Sequence, residues 1–153
     1  VGSDVPFFIK GGTVLAEGRG ERLTQLPQLP VFWVVLVKPP FTVSTAKVYS
    51  LYQSQGGEPH TPGLVKALQK GEHHKVPALL GNDLEGVTVR LHPEIADIKQ
   101  QLLLLGAAAA LMSGSGPTVF GLFYDQGTAR QAAEGIREKG GLEVFVCRTC
   151  SAD

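Results

Sequence analysis

Apolar residues in this chain fall into short runs separated by glycine and proline, and their spacing predicts alternating strands and helices. Residues 31–37 are seven consecutive apolar residues without alternation, a pattern typical of a central strand covered on more than one side. Before them, residues 1–26 predict short strands, at 6–10 and 13–17, joined by glycine turns. From residue 44 to residue 91 the pattern turns helical, with Ser44 or Thr45 as the first candidate cap.

The clearest predicted helix follows His92 and Pro93. Its apolar residues recur at spacings of three, four and three, and Gly106 provides its end. These residues are Ile95, Ile98, Leu102 and Leu105. A later helix is predicted to begin at Thr128 as its cap and to place Ala129, Ala132, Ala133 and Ile136 on one face.

Residues 31–153 therefore run strand, helices, strand, strand, helix, strand. This order predicts an α+β domain of the ferredoxin-like βαββαβ type, with extra helices in the first crossover. The two middle strands form a hairpin in that topology, and the segment Ser113, Gly114, Ser115 and Gly116 lies at its tip.

That glycine loop, between apolar residues 107–111 and 119–123, is the main candidate for chemistry. Two glycines allow special backbone angles, so several N–H groups and two hydroxyls can meet at one point and hold an anion such as phosphate. An ordinary hairpin turn explains the same residues equally simply. The residues alone leave both interpretations open.

The composition of the chain limits the kinds of molecule that it can be expected to bind. The 153 residues include 14 basic and 14 acidic side chains, so there is no general field for nucleic acid or for a membrane surface, and we expect neither as a partner. The apolar runs are too short or too interrupted to span a bilayer. Only two cysteines are present, Cys147 and Cys150, which favours a reducing, cytoplasmic location and gives at most half of a zinc ligand set. No metal site is predicted.

Several stretches together resemble one family. GSDVPFFIKGG, AEGRGE, PPFTVSTAKVY, NDLE and HPEIADIKQQLLLLGAAAALMSGSGPTVFGLF occur in that order and are similar to the 4-diphosphocytidyl-2-C-methyl-D-erythritol kinases. These enzymes of the non-mevalonate isoprenoid pathway belong with galactokinase, homoserine, mevalonate and phosphomevalonate kinases. The resemblance implies an ATP-dependent phosphotransferase that acts on the hydroxyl of a cytidylyl sugar alcohol, with Mg²⁺ implied by the chemistry of ATP.

The resemblance also predicts a boundary within the chain. Kinases of this family carry a lysine and a glycine- and serine-rich ATP loop upstream of the segment that resembles GSDVPFF, and neither occurs here. Residues 1–28 then correspond to the end of the N-terminal domain and residues 29–153 to the C-terminal domain. We expect such a C-terminal half to be inactive without the missing N-terminal half.

Site residues carried over by the resemblance are a catalytic carboxylate, a phosphate loop and a substrate pocket. They are Asp4; Ser113, Gly114, Ser115 and Gly116; and Thr45, Tyr49, Gly18 and Arg19 respectively. Without the resemblance, Asp4 is a turn or cap residue and Tyr49 a helix residue packed on the core. The side-chain role of Arg19 is doubtful because the family has small or apolar residues there.

Two other classes of function compete with the kinase. A ferredoxin-like sheet with aromatics on a strand, as in TVFGLFY, is also found in RNA-recognition modules, although the basic excess expected of them is absent. The chain is alternatively a purely structural half that completes a site on a partner. Binding of cytidine diphosphate, of RNA or of neither separates the three.

Overall fold

The computed structural model of the chain describes residues 11–18, 20–53 and 60–150. The elements are β1 (Val14–Glu17), β2 (Arg22–Gln25), β3 (Trp33–Lys38), α1 (Thr45–Leu51), α2 (His60–Gln69), a 3₁₀ turn (His73–Lys75), α3 (Val76–Leu79), α4 (Glu85–Leu91), α5 (Glu94–Leu104), β4 (Ala109–Met112), β5 (Val119–Phe123), α6 (Gln126–Arg137) and β6 (Glu143–Arg148). The strand predicted for residues 6–10 lies outside the described residues. Within these residues, no helix combines the length and apolar character needed to cross a bilayer.

The main sheet has four antiparallel strands in the order β4-β5-β3-β6. As predicted, β3 is a central strand, paired with β5 on one side and β6 on the other. Burial nevertheless alternates along it, because Val35 and Val37 are fully buried while Val34 and Leu36 are only half-buried. The cover predicted for more than one side of β3 is therefore complete on one face and only partial on the other.

The core lies between one face of this sheet and two helices. Helix α5 packs on β4 and β5, and α6 packs on β3, β5 and β6. The apolar stripe predicted for α5 is buried at Ile95, Ile98 and Leu102, whereas Leu105 lies just beyond the helix end and is exposed. Gly106 follows with a φ of 95°, the left-handed conformation that ends a helix and that glycine adopts without strain.

Helix α6 buries its predicted face of three alanines and Ile136, but its cap is not Thr128. Asp125 is the N-cap, and its side chain accepts the Thr128 backbone N–H at 2.8 Å and the Thr128 hydroxyl at 2.7 Å. A carboxylate here satisfies an otherwise unpaired helix N–H group. These hydrogen bonds lower the pKa of Asp125 below its ordinary value.

The Asp125 cap predicts an acid-sensitive contribution to stability. Because the folded pKa is lowered, the contribution is fully present above the unfolded pKa and is lost as pH falls through the folded pKa. We expect the difference in Tm between the natural chain and Asp125→Asn, which keeps a capping oxygen without the charge, to shrink from pH 7 to pH 3. Asp125→Ala, which removes the cap itself, serves as the reference at each pH. A Tm difference for the asparagine variant that does not change with pH contradicts the assignment.

The first hairpin, β1 and β2, forms a separate two-stranded sheet. It is attached to the helices through a second apolar cluster, in which buried Leu26, Leu68 and Val76 are surrounded by half-buried leucine and valine side chains. Leu15 of β1 and Leu64 of α2 both belong to that surround. The hairpin is thereby packed onto α2 and α3.

Candidate functional site

The glycine loop is the tip of the hairpin between β4 and β5, as predicted. Ser113 N–H donates to the Thr118 carbonyl at 2.8 Å, and Gly116 N–H donates to the Ser113 carbonyl at 2.9 Å. Gly114 and Gly116 have φ values of 55° and 86°, so the special backbone angles predicted for them are confirmed. Residues with a Cβ rarely adopt these angles.

The outer side of this loop is open and carries donors. Among the residues that the structure describes, the backbone N–H groups of Gly114 and Ser115 have no hydrogen-bond partner. A Cβ atom added at Gly114 would meet no atom of the described residues within 4 Å. Two unpaired amides at an uncovered glycine turn form a concavity of the kind that receives an anion.

Thr45 lies directly against the loop. Its Oγ1 is 2.8 Å from the Ser115 Oγ, although 70 residues separate the two in sequence. Thr45 begins helix α1, and Ser44 caps that helix by accepting the Lys47 N–H at 3.3 Å. The structure thus brings one residue predicted for the substrate pocket to one predicted for the phosphate loop.

The segment before α1 is fixed by an aromatic stack. The Phe41 and His92 rings are 4.5 Å apart at their centroids and only 13° from parallel, a stable arrangement for two flat rings. Phe41 also packs on the main core. This contact fixes the chain three residues before Ser44. It therefore determines where α1 begins and where Thr45 lies.

Tyr49 lies one helical turn beyond Thr45 on α1. Its side chain is exposed, with 61% of its surface accessible, while the neighbouring Val48 is fully buried. The alternative in which Tyr49 packs on the core is therefore wrong. The ring is free to contact a ligand.

The remaining predicted residues lie elsewhere or outside the described residues. Gly18 is in the turn after β1, with a φ of 69°, and lines a groove of about 650 Å³ between that turn and α2. Ser113 and Gly114 line a different groove of about 490 Å³, and Thr61 borders both. Asp4 and Arg19 lie outside the described residues.

Three polar side chains contact the loop from α4 and the turn before it, and sequence reasoning did not single them out. Asn82 Nδ2 donates to the carbonyls of Met112 and Gly114, both at 2.8 Å. Glu85 Oε2 accepts the Met112 N–H at 2.8 Å, and Thr88 Oγ1 donates to the Ser115 carbonyl at 3.2 Å. The only signal was the NDLE segment, which contains the first two of them.

The described residues hold no group of three or more histidine, cysteine, aspartate or glutamate side chains suited to a metal ion. Cys147 and Cys150 are free and exposed. Desolvation, and to a smaller degree the nearby Cys150, raise the pKa of the Cys147 thiol. This thiol therefore stays protonated at neutral pH.

The fold has two helices on one face of a four-stranded antiparallel sheet, and a glycine loop at a hairpin tip. This combination is typical of the C-terminal domain of a class of small-molecule kinases. The chain belongs to the GHMP kinases C-terminal family, whose profile matches residues 64–142.

Among the curated relatives it is similar to 4-diphosphocytidyl-2-C-methyl-D-erythritol kinases. The protein of that name from Pelotomaculum thermopropionicum is 50% identical over 152 residues, which cover 97% of this chain and 52% of the relative. That from Bacillus subtilis is 46% identical over 138 residues, covering 90% and 48%. The resemblance inferred from the motifs is confirmed, and the chain spans about half the length of the curated relatives it matches.

Solved structures agree. A crystal structure of 4-(cytidine 5'-diphospho)-2C-methyl-D-erythritol kinase matches with a TM-score of 0.76 at 34% identity, over 97% of this chain and 54% of that one. Homoserine kinase from Cytophaga hutchinsonii matches with a TM-score of 0.77 at 21% identity, over 96% and 50%, which shows the fold alone. The RNA-module alternative loses support, since the family model that matches this chain is that of a kinase domain.

Proposed function

We propose that this chain is the C-terminal portion of an ATP-dependent kinase that phosphorylates a hydroxyl of 4-diphosphocytidyl-2-C-methyl-D-erythritol, in non-mevalonate isoprenoid precursor synthesis. The observation that carries the proposal is the hydrogen bond between Thr45 and Ser115. It joins a substrate-pocket residue to an open loop whose free amides suit a phosphate. ATP and the cytidylyl alcohol are the proposed partners, together with the N-terminal half of the enzyme, and the cytoplasm, where ATP is supplied, is the proposed location.

We propose the same division of the chain as the motifs suggest, with residues 1–28 ending an N-terminal domain and residues 29–153 forming a ferredoxin-like C-terminal domain. The antiparallel strand order β4-β5-β3-β6 supports this topology. The first hairpin also pairs only within itself among the described residues, in a sheet separate from that of β3.

In the proposed reaction the loop holds phosphate oxygens while a carboxylate handles the proton. The substrate hydroxyl oxygen forms a bond to the γ-phosphorus as the bond from that phosphorus to the β,γ-bridging oxygen breaks. ADP keeps those bonding electrons, and the hydroxyl proton passes to Asp4. Amide N–H groups at Gly114 and Ser115 stabilise the charge on the phosphate oxygens. Mg²⁺ carried by ATP would neutralise part of this charge, and the described residues of this chain include no carboxylate cluster that would hold the ion.

Tyr49 is proposed to stack on the cytosine ring of the substrate. An exposed tyrosine on a helix offers a flat apolar face, and stacking of one base on such a ring contributes roughly 1–3 kcal/mol. Thr45, one turn earlier, lies between this ring and the phosphate loop. The base and the phosphate can then be held at the two ends of one short helix.

Replacing Tyr49 by alanine is expected to raise the KM for the cytidylyl substrate about 5- to 140-fold, because about 1–3 kcal/mol of stacking is lost. The KM for ATP should change little. Steady-state kinetics with each substrate varied in turn measure both. Tyr49→Phe, which keeps the ring, should behave like the natural protein.

The matched control is Tyr124→Ala, which removes another exposed tyrosine. Its ring contacts Phe32 at 5.6 Å, away from α1, so only stability should change. Equal effects of Tyr49→Ala on both KM values would count against stacking.

The whole proposal is tested by mixing this chain with an N-terminal half of the enzyme and measuring ATP-dependent phosphorylation of the cytidylyl alcohol. Activity in the mixture, with none in either half, is the expected result. Binding of RNA and of cytidine diphosphate to the chain alone distinguishes the alternative functions. Affinity for RNA in place of cytidine diphosphate would favour a recognition module, and affinity for neither, with no activity on mixing, would favour a structural half.

A further inference from the structure

The backbone of the glycine loop is held from one side by Asn82, Glu85 and Thr88, which together are called the clamp below. Among the described strands β4 is at the edge of the sheet, so within this part of the chain the outward N–H and C=O groups of its last residue have no strand partner. Glu85 accepts the Met112 N–H and Asn82 donates to the Met112 carbonyl. Side chains of the clamp thus continue the hydrogen bonding of the sheet at its open edge.

The clamp then extends into the loop itself. Asn82 donates a second hydrogen bond, to the Gly114 carbonyl. The Thr88 hydroxyl donates to the Ser115 carbonyl at 3.2 Å, and the Leu84 carbonyl of its own helix is a second acceptor at 3.3 Å. A trans peptide unit points its C=O and N–H in opposite directions. With the Gly114 carbonyl turned toward Asn82, the Ser115 N–H of the same unit must point away from the clamp, toward the open side of the loop.

The clamp residues are themselves fixed. Asn82 Oδ1 accepts the Leu84 N–H at 3.0 Å, which settles which end of the amide donates to the loop. Glu85 forms an ion pair with Lys99 of α5, and both side chains are largely buried. Thr88 is fully buried, the only polar residue so classed in the described part of the chain.

Gly116 brings the loop close to the clamp. A Cβ atom there would lie 2.7 Å from Met112 Sδ and 3.3 Å from Thr88 Cγ2. The loop therefore packs tightly on its clamp side and is open on the other side, at Gly114. This asymmetry is what a fixed, one-sided anion cradle requires.

We propose that Asn82, Glu85 and Thr88 are positioning residues that fix the loop backbone so that the Ser115 N–H faces a phosphate oxygen. The proposal rests on the proposed function for its last step, the identity of the anion. None of the three needs to touch substrate. Each acts through the peptide groups of residues 112–115, and errors of about 1 Å in such positioning can cost roughly 100-fold in rate.

Three variants test the clamp, and the two at Thr88 form a matched pair. Asn82→Asp keeps an acceptor for the Leu84 N–H but cannot donate to the two carbonyls, whereas Thr88→Val removes only the hydroxyl and Thr88→Ser retains it. In the enzyme that contains both halves, we expect Asn82→Asp and Thr88→Val to lower kcat about 10- to 100-fold. The KM for the cytidylyl substrate should stay within about twofold of the natural value, and Thr88→Ser should recover most of kcat.

A second measurement does not depend on kinase activity. In ¹⁵N relaxation experiments on this chain, the order parameters of the Gly114 and Ser115 N–H groups should be near the rigid value of about 0.85 and fall toward about 0.6 in Asn82→Asp. Unchanged order parameters in a folded Asn82→Asp chain would overturn the clamp, and so would a normal kcat. If the natural enzyme lacked kinase activity, the proposed function would fail while these order parameters still decided whether the clamp fixes the loop.

Discussion

Gly114→Val is expected to lower kcat/KM for ATP on the order of 100-fold or more while leaving the chain folded. The valine Cβ projects into the open side of the loop, where no atom of the described part of the chain lies within 4 Å and where the phosphate is proposed to approach. The cost to folding is limited to the backbone, because a residue with a Cβ at a φ of 55° is strained by about 1–2 kcal/mol. Steady-state kinetics and thermal unfolding of the same variant separate the two effects.

Gly71→Val is the matched control. Gly71 has a φ of 69°, and an added Cβ there would likewise meet no atom within 4 Å among the residues that the structure describes, but it lies in the turn after α2. The same backbone strain should therefore lower Tm by a similar amount with no loss of activity. Equal losses of activity in the two variants would mean that strain, not access of the phosphate, explains the effect at Gly114.

Gly116→Val should behave differently from Gly114→Val. At Gly116 the added atoms meet buried Met112 and Thr88 as well as a φ of 86°, and overpacking adds about 1–3 kcal/mol to the backbone strain. We expect a larger fall in Tm than at Gly114, with activity lost through the fold. The Gly116 variant therefore tests the packed side of the loop, and the Gly114 variant tests its open side.

The elements predicted best are those whose signals are local. Helix α5 follows from the spacing of Ile95, Ile98 and Leu102, and its end follows from Gly106, because both the period and the terminating glycine belong to the helix itself. The hairpin tip follows equally from two apolar runs around Ser113–Gly116. Where two local signals compete, as with Asp125 and Thr128 as caps of α6, the sequence does not decide.

What the sequence could not predict depends on contacts between distant segments. An unbroken apolar run such as 31–37 carries no period, so it cannot say that one face of β3 is buried and the other half-open. The contact of Thr45 with Ser115, and that of Asn82 with Gly114, join segments 70 and 32 residues apart. The NDLE segment could be recognised as a motif from the sequence. Its contacts with the glycine loop, however, form only because α4 packs beside the edge of β4.

Asp4→Asn should cause the largest loss of all, about 100- to 10,000-fold in kcat, the usual range for a general acid or base. Asparagine has the size of aspartate and still accepts hydrogen bonds, so both KM values should change by no more than a few-fold. It cannot take up the proton that the substrate hydroxyl releases. Asp97→Asn, which changes an exposed carboxylate in the first turn of α5, is the control and should leave kcat unchanged.

The activity of a double variant tests whether Asp4 and the loop act at the same reaction centre. If both act on the same phosphoryl group, Asp4→Asn combined with Gly114→Val should lose less than the product of the two single losses, because groups that act as a unit are not additive. Full multiplication of the losses would indicate independent sites. An Asp4→Asn enzyme with unchanged kcat would remove the carboxylate from the mechanism, leaving the fixed amides of the loop as the source of rate enhancement.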